Sequence, residues 1–67
     1  MNAEQYQSLL RENYSKMLLT KRETANELSV SEGTLDRIRQ SGKISSKKVL
    51  GQVMFAIDEV ARFLADA

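Results

Sequence analysis

The 67-residue chain contains no cysteine, no histidine and no proline. Without cysteine no disulfide can staple the fold, and without histidine as well the usual zinc ligand sets are missing. Neither a metal nor a cofactor is therefore expected. The same absences remove the common general base of neutral-pH catalysis and the thiol nucleophile. Glycine is scarce too. Gly33, Gly42 and Gly51 are the only three, and their spacing forms no phosphate-cradling loop. So short a chain seldom encloses a small-molecule substrate in a pocket of typical size. These absences point to a binding module, not an enzyme, with no small-molecule substrate. No apolar run approaches the roughly 20 residues that span a bilayer, and no signal peptide opens the chain. The expected setting is cytoplasmic, with no membrane.

Hydrophobic residues make up 42% of the chain and charged residues 28%, which suits a single small globular domain over residues 1–67. A domain of this size buries only about 60% of the surface its unfolded chain exposes, so the core must be marginal. The net charge of +1 conceals a sharp asymmetry. Residues 21–36 sum to −2 and residues 58–67 to −2, whereas residues 37–57 carry +5 with no acid among them. A phosphate-facing surface concentrates charge in this way, and so does a solvated basic loop.

Periodicity supplies the elements. Tyr6, Leu9, Leu10, Tyr14, Met17 and Leu18 recur at helical spacing, predicting an N-terminal amphipathic helix over residues 1–18 with Met17 and both tyrosines inward. Thr20-Lys21-Arg22-Glu23 has the capping-box pattern, which starts a second helix running to about Leu28. Ser31 is a good N-cap for a third, over roughly Glu32 to Gln40, which Gly42 then stops. Two short helices joined by a tight turn form a helix-turn-helix pattern. Beyond it, Ile44, Val49, Val53 and Phe55 flank Leu50-Gly51 and predict a β-hairpin, with Gly51 as the positive-φ residue of a type I turn plus bulge. Ile57, Val60, Ala61, Phe63 and Leu64 mark a last helix from about Asp58 to Ala65. The expected fold is mainly α with a small β-hairpin wing: a winged helix-turn-helix over residues 19–64 preceded by an extra helix. Its expected core is Leu19, Ala25, Leu28, Val30, Leu35, Ile38, Val53, Phe55, Val60, Phe63 and Leu64.

Leu19-Thr20, Glu23, Ala25, Leu28, Val30-Ser31, Thr34-Leu35, Arg37-Ile38-Arg39, Ser41-Gly42 and Ile44 form one spaced pattern. Val49, Gly51, Val53, Phe55, Asp58-Glu59-Val60 and Phe63-Leu64 continue it. In these residues the chain resembles the excisionase and AlpA-type winged-helix proteins related to the mercury-resistance (MerR) regulators. The resemblance covers about two-thirds of the chain, and it implies binding to double-stranded DNA. One departure stands at Ser29, where the family commonly has glycine. A left-handed serine there would cost about 1–2 kcal/mol.

Expected DNA-binding residues follow from the two lines of reasoning together. In the resembled family the position of Arg37 contacts DNA, and its guanidinium suits guanine or a phosphate. The competing reading pairs Arg37 with Glu32 or Asp36. Ser31 and Thr34 at the third helix's start are suited to phosphate, with capping the other duty of Ser31. Glu32 and Asp36 repel phosphate, so they read a cytosine amine, pair within the protein or point away. Gly33 allows close backbone approach, or is simply tolerated near a helix end. Arg39, Lys43, Lys47 and Lys48 are candidates for the DNA backbone, the last two on the wing. Adjacent strand residues point to opposite faces, so only one of these two is expected to face DNA.

Three functions stay open at this level. One is a recombination directionality factor that binds repeated sites cooperatively, self-associating on DNA and bending it for an integrase. Another is a small AlpA-type transcription regulator. The third is a protein-interaction or assembly module that reuses the fold.

Overall fold

The computed structural model describes residues 1–67. Helix α1 (Ala3–Tyr14) begins at a capping box in which Asn2 and Gln5 exchange side-chain-to-backbone hydrogen bonds of 2.9 Å. It ends at Tyr14, four residues short of the expected end at Leu18. Ser15 turns left-handed at φ 54°, and its N–H closes on the Arg11 carbonyl. Residues Leu18–Thr20 instead form strand β1. A neighbouring strand with an open edge outweighs local helical periodicity here, because each strand satisfies the other's backbone groups. Met17 is consequently 71% exposed and not in the core.

Helix α2 (Lys21–Leu28) starts at the expected capping box, with Thr20 Oγ1 accepting from the Glu23 N–H and Glu23 Oε1 accepting from the Thr20 N–H. Ser29 does adopt the left-handed conformation, at φ 59°, and the Val30 N–H reaches back to the Ala25 carbonyl. This is a Schellman-type stop made with serine where glycine carries no penalty. Ser31 then caps α3 (Glu32–Gln40) by accepting from the Thr34 N–H at 3.1 Å. The helix-turn-helix thus has both of its boundaries written in side-chain hydrogen bonds.

The wing consists of β2 (Lys47–Val49) and β3 (Gln52–Ala56), with Val49 opposite Gln52. That register leaves a two-residue loop, and both Leu50 (φ 51°) and Gly51 (φ 84°) have positive φ. The turn is therefore the type I′ kind and not the expected type I turn with a bulge. β3 is central in an antiparallel sheet of order β1-β3-β2, with Leu19 opposite Phe55. Helix α4 (Ile57–Asp66) follows β3 without a linker. Its first residue has no side-chain cap, and the Ile57 N–H donates to the Met17 carbonyl instead.

The core comprises Leu10, Leu19, Ala25, Leu35, Ile44, Phe55, Ile57, Val60 and Ala61. Of the residues expected inside, Leu28, Val30, Ile38, Val53, Phe63 and Leu64 are partly buried around its margin. Leu10, Ile44, Ile57 and Ala61, which are not in the expected core, take central places in the observed one. α1 packs against α4 of its own chain, with Tyr6 and Tyr14 at the core's edge and an Arg11–Asp58 ion pair on the rim. No helix is long and apolar enough to cross a membrane.

Candidate nucleic-acid interface

Helical geometry sorts α3 into two faces. Leu35 is fully buried and Ile38 half-buried, so the opposite side presents Gly33, Arg37 and Gln40, all exposed. Three hydroxyl and guanidinium groups run along the start of this face. The Ser31 hydroxyl lies 3.0 Å from Thr34 Oγ1, and Arg37 donates to that same Thr34 oxygen at 3.2 Å. Arg37 is thereby steadied along the helix while its charge stays uncompensated. It pairs with neither Glu32 nor Asp36, which removes the competing intraprotein reading.

Asp36 and Arg39 do something different. Asp36 bridges to Lys21 of α2 at 3.1 Å and to Arg39 at 3.3 Å. The hydrogen bond from Lys21 holds its carboxyl below the usual range; desolvation opposes this, and a hydrogen bond from Arg39 adds to the lowering. Arg39 is half-buried, and its Nε is enclosed without a partner. Both residues are expected on the DNA side; Asp36 instead ties α3 to Lys21 of α2, and Arg39 pairs with Asp36 along α3. Asp36 joins the intraprotein option left open for it.

The two wing lysines separate as strand geometry requires. Lys48 lies opposite Val53, on the face of β3 that carries buried Phe55 and receives the helices. Lys47 lies opposite Met54 on the outer face, beside Ser45, Asp58 and Glu59. Lys43 is further removed, next to Arg62, Phe63 and Asp66 at the end of α4.

Between α2, the start of α3 and the hairpin runs an open groove of about 400 Å³, lined by Lys21, Arg22, Glu32, Gly51, Gln52 and Met54. Arg22 is exposed and has no carboxylate within ion-pair distance. The charge profile hid it, because the window around it sums to −2. Most of that negative charge is occupied elsewhere: Glu23 pairs with Lys16, Asp36 with Lys21 and Arg39, and Glu27 accepts from the Tyr14 hydroxyl. The Lys16 hydrogen bond, with the Thr20 N–H next, lowers the Glu23 pKa. Arg62 and Ser45 likewise lower that of Glu59. Gln40 was missed as well, although its spacing from Gly33 and Arg37 marks the same helical face.

The cations without a carboxylate partner are therefore Arg22, Arg37, Lys43, Lys47 and Lys48. Glu32 is the one unpaired acid of the helix-turn-helix, at the positive end of α3 where the helix dipole favours it.

No protein-family model, curated protein or solved structure matches the chain.

Proposed function

We propose that the chain is a sequence-specific double-stranded DNA-binding protein, with α3 in the major groove and the hairpin against the flanking minor groove. In this reading it acts as an excisionase-type recombination directionality factor, binding repeated sites cooperatively and bending DNA for an integrase. One observation carries the DNA reading. Glu23 and Asp36 are held in ion pairs with Lys16, Lys21 and Arg39, and Glu27 accepts from Tyr14, while Arg22, Arg37 and Lys48 have no carboxylate partner on α2, α3 and the helix-facing side of the wing. Such a partition concentrates positive potential without raising the net charge above +1. Arg37 reads a base, Arg22 and Lys48 neutralise phosphates, and Gln40 extends the readout face.

A monomer that neutralises about three to five phosphates binds weakly, with a slope of log affinity against log salt of about −2.7 to −4.5. Neighbouring copies on repeated sites then supply the remaining affinity. Titration of a specific and a random duplex at several salt concentrations tests this. Arg37→Ala should cost about 1–3 kcal/mol on the specific duplex and far less on the random one. Lys48→Ala should weaken both alike and reduce the salt slope by about one, whereas Lys47→Ala should change it less. Equal losses on both duplexes with Arg37→Ala would remove it from base reading. Salt-independent binding, or none, would reject the DNA-binding function.

A further inference from the structure

We infer that Leu50, at the tip of the wing, is an apolar wedge that enters the minor groove and unstacks one base step, so that the hairpin is the element that kinks the DNA. The inference rests on the DNA-binding reading above and adds to it a bending mechanism.

Three observations meet at this residue. Leu50 is fully exposed, the most exposed large hydrophobic side chain of the chain, and contributes nothing to the core. Its backbone is left-handed at φ 51°, in a turn position where asparagine, aspartate or glycine is the unstrained choice. The fold thus gains neither burial nor local conformational energy from a leucine here. The third observation is the setting. Val49, also exposed, precedes it, Gly51 follows without a side chain, and Lys47 and Lys48 stand just behind on the same strand. An apolar point on a two-residue turn with cations at its base has the form of a minor-groove wedge. The tip is narrow enough for a groove about 6 Å wide, Lys48 engages a flanking phosphate, and the leucine enters between bases. Local strain of this kind is tolerated where a site uses it.

A left-handed turn position also makes the test clean, because Leu50→Asn removes the apolar side chain while relieving the backbone. That variant should fold at least as well as the original, as thermal unfolding will show. Leu50→Met keeps an apolar side chain of similar size in the same strained position. The probe is a duplex selected from a random-sequence pool by the unaltered protein, with 2-aminopurine placed in turn at the steps flanking the α3 footprint. Bend is read by resonance energy transfer between the duplex ends.

The unaltered protein and Leu50→Met should raise 2-aminopurine fluorescence at one step and shorten the end-to-end distance. Leu50→Asn should lose both signals and bind about three- to tenfold more weakly, a gap that narrows on a duplex already gapped at that step. An unchanged bend and unstacking signal with Leu50→Asn overturns the wedge while leaving DNA binding intact. A change in self-association without DNA, with the bend retained, also overturns it and makes the tip a protein contact. Failure of the unaltered protein to select or bind any duplex rejects the DNA reading and the wedge with it.

Discussion

Replacing Leu35 by alanine tests whether one side chain holds the proposed recognition helix in place. Leu35 is fully buried and is the only residue of α3 in the core. The helix packs chiefly against α2, so little else fixes its orientation. Truncating a buried leucine costs about 2–5 kcal/mol, from lost transfer energy and the cavity left behind. A domain of this size has a total stability of only about 3–10 kcal/mol. The substitution therefore consumes about a fifth of the stability or more. With a melting shift of about 4–8 °C per kcal/mol at this size, Tm should fall by roughly 8–40 °C. Urea unfolding followed by circular dichroism gives the free energy, and thermal scans give the shift. Leu9→Ala is the matched control: the same truncation at a side chain 44% exposed on α1 should cost within about 0.5 kcal/mol of nothing. A loss under about 1 kcal/mol for Leu35→Ala, or a comparable loss for Leu9→Ala, would refute the burial argument.

Three further outcomes are expected. Ser29→Gly relieves a left-handed serine, and after the entropy cost of glycine it should stabilise the domain by about 0.5–1 kcal/mol in the same unfolding assay. Gly33→Ala has room for its methyl group, since the nearest atom, Ser31 Oγ, lies 3.9 Å away. It should raise stability by up to about 1 kcal/mol, and a simultaneous loss of DNA affinity would assign Gly33 to close backbone approach. Tyr14 donates to Glu27, and this hydrogen bond to a carboxylate, aided by desolvation, pushes the phenol up to about 12 from 10.0. Because the folded pKa is raised, the contribution is complete below pH 10 and is lost as the pH rises through 12. The stability difference between the original and Tyr14→Phe, measured by urea unfolding from pH 8 to 12, should therefore shrink over that interval.

Sequence alone determined the elements whose signals are local. The Thr20–Glu23 capping box, the Ser31 cap and the Gly42 stop depend on hydrogen bonds and backbone preferences spanning a few residues, and each lies where its residues imply. The opposed faces of Lys47 and Lys48 likewise follow from the two-residue repeat of any strand. Tertiary structure decided what depends on residues far apart in the chain. Leu18–Thr20 is a strand because β3, more than thirty residues later, offers it a pairing edge, and no helical period in residues 3–18 carries that information. Ile57 and Ala61 are core because α1, more than forty residues earlier, packs against α4. Charge behaves in the same way. Whether a carboxylate cancels a nearby cation depends on distance in space. Thus Asp36 binds Lys21 and Arg39 and leaves Arg37 free, while Arg22 stands uncompensated in a segment whose charges sum to −2.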